Sequence, residues 1–365
     1  MKSRKLFLLY AALLTFLTAI HVYSSEAVND FTGFNQPPVF KSGDLSVHFL
    51  ELGNRYTGDS IYINYGEIDI LIDAGSRQSS AKTITTYIDN YIQDGILEFV
   101  IATHAHEDHI AGFYSRGSIT GIFDYYEIGI IIDFPKTNSN TAVYNSYINA
   151  RDRAVENGAA HYTALQCFNN EDGAQRIYHL GGSLYLEILY NYYYENYSGS
   201  ENNYSVCLRI IYEDMQFLFT GDLERDGEDK LADFYEENFG GLGHFVLFKG
   251  GHHGSNTSGH AKLMAAITPE YIIICSGVGT AQYRALPHNT YPAQGFIDRA
   301  APYTDRIYIT TRVTDYANNE FESFNGNIIF LVSGGTISII CSNNDTILKN
   351  TEWFAHNRTM PEAWK

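Results

Sequence analysis

The run Thr103-His104-Ala105-His106-Glu107-Asp108-His109 closes the apolar, strand-like stretch 98–103. Polar side chains at this density cannot be buried unless each finds a partner. A tight loop at a strand end can turn His104 and His106 to one side and Asp108 and His109 to another. Such a loop can serve two separate metal ions; the alternative is a surface loop whose polar groups are satisfied without one.

Around that point the pattern is mostly short strands. Segments 45–52, 60–65 and 68–73 are β-branched and aromatic, with Gly between them, and 79–94 has helical character. Further strands are expected at 127–133, 183–190, 205–212, 216–220, 245–249, 271–275, 306–311, 327–332 and 336–341. Helices are expected near 141–157, 224–237, 259–267 and 291–299. A run of strands, then alternation with helices, then strands again suits an α/β chain of two packed mixed sheets flanked by helices, an αββα sandwich. The 29 Tyr and 22 Phe agree, since aromatic side chains favour strands. The main domain is therefore placed at 44–341. Residues 28–43, polar and carrying Pro37-Pro38, read as a tether, and 342–365 as a C-terminal extension pinned by Trp353 and Trp364.

The first 27 residues read as a secretory signal. Lys2, Arg4 and Lys5 precede an apolar run from Leu6 to Ile20, and small residues offer cleavage after Ser24 or Ala27. The run is shorter than the ~20 residues of a bilayer span; an uncleaved anchor is the alternative, and either way the domain is extracytoplasmic. Cleavage after Ala27 removes three basic residues and one acid, taking the formal charge from −18 to −20. Such a surface disfavours polyanions at long range, so nucleic acid is a partner that charge does not favour, although bound divalent metals reverse the sign locally. An oxidising compartment permits disulfides among Cys167, Cys207, Cys275 and Cys341. Cys207 and Cys275 lie in apolar strand-like runs, however, and no bridge is expected.

His104-Ala105-His106-Glu107-Asp108-His109 resembles the HxHxDH signature of the metallo-β-lactamase superfamily. Ile70-Leu71-Ile72-Asp73-Ala74-Gly75 resembles that superfamily's first motif, whose Asp supports the histidine loop without binding metal. Phe217-Leu218-Phe219-Thr220-Gly221-Asp222 resembles the fourth, whose Asp bridges two metals. Lys249-Gly250-Gly251-His252-His253-Gly254-Ser255 and Asn202-Asn203-Tyr204-Ser205-Val206 are similar to segments of the metallo-β-lactamase domain of bacterial DNA-uptake channel proteins and of the secreted phosphorylcholine esterase. Those relatives imply phosphodiester or phosphate-ester chemistry. Where the superfamily expects a third-motif histidine this chain has Asn203 and Ser205. His161 and His179, the nearest upstream, are read as structural.

The resemblance implies two divalent metal ions, with Zn²⁺ the best match to histidine and carboxylate ligands and Mn²⁺ the alternative. His104, His106 and Asp222 would hold one; Asp108, His109, Asp222 and His253 the other. His252 is left for a substrate phosphate, with exchange of the two histidine roles as the alternative. Asp108, Asp222 and His252 are the expected catalytic residues and Asp73 their outer support. A metal pair would activate a water and neutralise the phosphoryl oxygens of a phosphodiester substrate. Asn203, Ser205 and His288 are candidate substrate contacts, and His288 reads equally well as an ordinary loop histidine. The tyrosines of 190–197 could cage a quaternary ammonium, although a strand end followed by a loop is the preferred reading. A nuclease, or a secreted protein that retains metals without turnover, are the competing functions; lactam hydrolysis is disfavoured by Asn203 and Ser205.

Overall fold

The computed structural model describes residues 33–34, 36–280, 290–315 and 317–365. The expected signal at 1–27 and His288 lie outside the described residues. No helix among the described residues is long and apolar enough to cross a membrane.

Among the described residues, sixteen strands, numbered in chain order, form two eight-stranded mixed sheets. The first sheet contains β1 (Leu45–Phe49), β2 (Ile61–Tyr65), β3 (Ile68–Ile72), β4 (Ile96–Ile101), β5 (Glu127–Asp133), β6 (Ala160–Thr163), β15 (Ile328–Ser333) and β16 (Thr336–Cys341), in the order β16-β15-β1-β2-β3-β4-β5-β6. The second contains β7 (Ile177–Gly181), β8 (Leu184–Leu189), β9 (Cys207–Tyr212), β10 (Met215–Phe219), β11 (Leu247–Lys249), β12 (Tyr271–Val278), β13 (Ile307–Asp315) and β14 (Glu320–Ser323), in the order β14-β13-β12-β11-β10-β9-β8-β7. Strands β3 to β6 run parallel, as do β10 to β13, while the remaining pairs are antiparallel.

The period-2 alternation of the strands separates two cores. Phe217 and Ile273 face the first sheet, joining Val47, Leu71, Val100 and Phe330. Their neighbours Leu218, Ile272 and Ile274 face outward, against Leu231 and Tyr235 of the helix Arg225–Phe239, Leu263 and Met264 of the helix Ala261–Ile267, and Phe296 of the helix Gln294–Ala300. The ring of Phe330 touches Phe217 and Tyr271 at centroid distances of 5.6 and 5.3 Å, marking where the two sheets meet. The expected αββα sandwich is the architecture found.

Three strands, β6, β7 and β14, have no counterpart in the sequence reading, and each lies at a sheet edge. β6 and β14 have no buried residue, whereas β7 alternates with Tyr178 and Leu180 buried. The tether reading needs correcting in its later part. Phe34 is buried, and Phe40 stacks on Tyr91 at 5.7 Å, so 33–43 packs on the domain where it is described. At the other end Trp353 and Phe354 are buried in the second core, and Trp364 Nε1 donates to the Thr304 carbonyl at 3.1 Å. The four cysteines are free.

His48 of β1 is fully buried, with its ring nitrogens 2.8 Å from the Tyr87 hydroxyl and the Ser46 hydroxyl. Burial lowers its pKa to about 3. A depressed folded-state pKa adds stability that is present above the unfolded value near 6.5 and is lost as pH falls toward 3, at about 1.4 kcal/mol per pH unit. Urea unfolding at pH 7 and pH 4 is expected to show a shallower acid-side loss for His48→Gln than for the parent protein. Equal losses in the two proteins would show that His48 does not govern this limb.

Candidate metal centre

The site lies at the C-terminal ends of parallel strands from both sheets, where open α/β sheets characteristically place ligands. β3 delivers Asp73 and β4 delivers Thr103 and His104 from the first sheet; β10 leads to Asp222 and β11 to the His252–His253 pair from the second. Asp73 leaves β3 in the left-handed region (φ 58°), uncommon for a residue with a side chain. That turn lets its carboxylate accept the Thr103 backbone N–H and the Thr103 hydroxyl, both at 2.8 Å, and face His109 Nδ1 at 2.7 Å. From the other side Glu201 accepts the Ala105 N–H at 3.2 Å. Gly221 (φ 53°) lets the Asp222 loop approach closely: a Cβ there would lie 2.9 Å from Ser205 Oγ and from Thr103 Cβ.

The side chains converge on one oxygen. Asp222 Oδ2 lies 3.2 Å from His109 Nε2, 3.3 Å from His253 Nε2, 3.7 Å from His252 Nε2 and 4.0 Å from His104 Nε2. Asp108 Oδ2 is 3.2 Å from His253 Nε2. Ligand atoms of Asp108, His109, Asp222 and His253 all fall within 4.8 Å of one another. His104 Nε2 and His106 Nδ1 are 3.0 Å apart, a spacing two imidazoles can adopt on one cation. His109 Nε2 and Asp222 Oδ1 are buried with no hydrogen-bond partner among the described residues. Buried polar atoms left in this way, on a histidine and carboxylate set, fit divalent metal ions.

The electrostatics follow from this crowding. Burial would raise the Asp222 carboxyl, but His253, His109 and His252 outweigh it and hold the group well below the usual range. Burial would depress His109 and His253; the facing carboxylates, Asp222 foremost, lift both well above an ordinary imidazole. His104 is driven well below by burial and by the neighbouring His109 and His106. A cation would take the lone pairs these protons occupy, so metal uptake is linked to proton release.

The histidine pair is not extended; on an extended segment adjacent side chains would point in opposite directions. His252 and His253 have φ of 45° and 56° within the 3-10 turn Gly251–Gly254, and both Nε2 atoms turn toward Asp222. Their other nitrogens differ: His252 Nδ1 meets the Thr257 hydroxyl at 2.8 Å, and His253 Nδ1 meets the Cys275 carbonyl at 3.0 Å. Asn203 and Ser205 are buried and engaged internally. Asn203 Oδ1 accepts the Glu224 N–H at 3.2 Å, and Ser205 Oγ accepts the Asp222 N–H at 3.1 Å. His161 pairs with Asp133 at 2.8 Å, and His179 meets the Gly182 carbonyl at 2.9 Å. In the tyrosine segment Tyr193 and Tyr194 are buried and Tyr190 donates to Glu195 at 2.9 Å, leaving Tyr197 the most exposed.

Sequence reasoning assigned no role to Asp59 or Lys249. Both are buried, and they form an ion pair beneath the centre. The available signals were Gly58-Asp59-Ser60 at the mouth of β2 and a lysine ending an apolar strand immediately before the histidine pair.

No protein-family model matches the chain. The competence protein ComA of Neisseria gonorrhoeae is 37% identical over 81 residues, 22% of this chain. The match spans only about a tenth of that relative's length, 11%. Among solved structures, the metallo-β-lactamase fold protein YhfI of Bacillus subtilis aligns at a TM-score of 0.44 and 11% identity, covering 80% of this chain and 100% of its own. A probable metal-dependent hydrolase of Staphylococcus aureus aligns at 0.31 and 15%, covering 50% and 74%. CmlA, a diiron β-hydroxylase of Streptomyces venezuelae, aligns at 0.36 and 12%, covering 71% and 48%. Two eight-stranded mixed sheets flanked by helices are the arrangement of the metallo-β-lactamase fold.

Proposed function

We propose that this chain is an extracytoplasmic, dinuclear metal-dependent phosphodiesterase acting on a small or envelope-associated phosphodiester. The observation that carries the reading is the convergence of His104, His109, His252 and His253 on Asp222 Oδ2, with Asp108 alongside. His104, His106, Asp108, His109, Asp222 and His253 would hold a divalent pair, which would activate water near neutral pH and offset phosphoryl charge. The chain's own residues do the positioning. Asp73 orients His109, Ser205 holds the Asp222 backbone, and Thr257 turns His252 Nε2 inward, where it can donate to a phosphoryl oxygen. The formal charge of −18 favours a compact substrate over a long polyanion. Nuclease activity is the second reading, favoured by the similarity to a competence protein.

Purified mature protein, supplied with Zn²⁺ or Mn²⁺, is to be screened against bis-p-nitrophenyl phosphate, p-nitrophenylphosphorylcholine, single-stranded DNA and nitrocefin. Turnover of the phosphodiesters is expected, with metal content near two equivalents per chain. Protein that hydrolyses substrate while reproducibly carrying almost no metal defeats the dinuclear reading, and hydrolysis of DNA alone transfers the assignment to the nuclease.

A further inference from the structure

We propose that Asp59 and Lys249 act as a positioning pair that ties the two sheets together beneath the metal centre and holds the His253 ring in its ligating orientation. This rests on the metal-dependent reading above. Asp59 comes from the first sheet, just before β2, and Lys249 ends β11 of the second. Each is 1% exposed, and the Lys249 ammonium contacts Asp59 Oδ2 directly. The same ammonium lies 3.8 Å from Asp222 Oδ1 and donates to the Gly221 carbonyl at 3.4 Å. One buried cation therefore links the loop of Asp59 to the loop that carries the candidate bridging carboxylate.

Asp59 reaches the imidazoles as well. Its Oδ1 lies 3.2 Å from His253 Nδ1, and its Oδ2 lies 3.8 Å from His109 Nδ1. A carboxylate behind the far nitrogen of a metal-ligating histidine fixes the tautomer and raises ligand basicity. Asp73 stands in that place for His109; the His253 Nδ1 hydrogen bond goes to the Cys275 carbonyl, with the Asp59 carboxylate 3.2 Å from the same nitrogen as its charged neighbour. Two backbone contacts anchor Asp59: its N–H donates to the Asp108 carbonyl at 3.1 Å, and its carbonyl accepts the Gly75 N–H at 2.8 Å. Gly58 admits this approach, since a Cβ there would lie 2.8 Å from the Asp108 carbonyl oxygen. Without Lys249, Asp59 would be a buried carboxylate lacking its only Lys or Arg partner among the described residues, a costly state.

The test is a double-mutant cycle of Asp59→Asn, Lys249→Met and the two combined. It is read by urea unfolding, by divalent-metal affinity in chelator competition with Zn²⁺ and Mn²⁺, and by kcat and KM on bis-p-nitrophenyl phosphate. Each single variant is expected to lose stability because it strands a buried charge. The double variant is expected to regain most of that stability, yet still bind metal about 10- to 100-fold more weakly than the parent, the usual cost of losing an outer partner of a metal ligand. Stability losses that simply add would overturn the pairing. A double variant with parental metal affinity and kcat would reduce the pair to a purely structural link and overturn the positioning role. A parent protein that takes up no divalent cation would sink the metal-dependent reading and this inference with it, whereas the other two outcomes leave that reading standing.

Discussion

Asp222→Asn is expected to strip both metal ions and abolish turnover, whereas Asp73→Asn should retain metal and lose about 10- to 100-fold in rate. The difference follows from what each carboxylate faces. Asp222 Oδ2 is the shared neighbour of imidazoles from both halves of the site, and an amide in its place removes the negative charge on which they converge. The loss should exceed the roughly 10²- to 10³-fold that follows removal of one oriented donor, because the anchor shared by the proposed metal pair would disappear. Asp73 meets the Thr103 N–H, the Thr103 hydroxyl and His109 Nδ1. Asparagine there keeps one acceptor oxygen and loosens the loop without deleting a ligand. Metal analysis beside kcat for the two folded variants decides the matter. Greater damage from Asp73→Asn would reverse the assignment of the two carboxylates.

His253→Ala should lower metal content together with rate, while His252→Ala keeps its metals and loses about 10²- to 10³-fold in kcat. Although both rings turn inward, their surroundings differ. His253 Nε2 stands between Asp108 and Asp222, at 3.2 and 3.3 Å, and belongs to the cluster of four ligand atoms. His252 Nε2 approaches Asp222 alone, at 3.7 Å, and its ring is steadied by Thr257. Burial also depresses the His252 pKa, which favours the neutral ring, and that ring donates from Nε2 only when Nδ1 accepts from the Thr257 hydroxyl. Metal stoichiometry measured with kcat on the two alanine variants separates the roles. A half-loaded His252→Ala protein beside a fully loaded His253→Ala protein would exchange them.

Much of the site is legible in the sequence because its chemistry is local. Asp73, the His104–His109 loop, Asp222 and the histidine pair each follow an apolar strand-like run, and a strand end is where such groups can leave the core. The sandwich is legible for a similar reason: interior strands carry β-branched and aromatic residues that alternate between two buried faces. The edge strands β6 and β14 escaped because they bury no residue that would impose a pattern, whereas β7 does alternate, with Tyr178 and Leu180 buried.

What the sequence determined by itself, then, is the set of groups that leave the strand ends and the class of sheet that carries them. The tertiary structure alone decided which groups meet. Asp59 and Lys249 are 190 positions apart and become partners only where the two sheets close on each other. The left-handed turn at 252 and 253 sends two adjacent imidazoles toward one oxygen, which an extended segment could not do. Asn203 and Ser205, which read as substrate contacts, are drawn into hydrogen bonds that shape the Asp222 loop. Pairing of buried charges and backbone handedness depend on packing between segments distant in sequence, and periodicity along one segment carries no record of either.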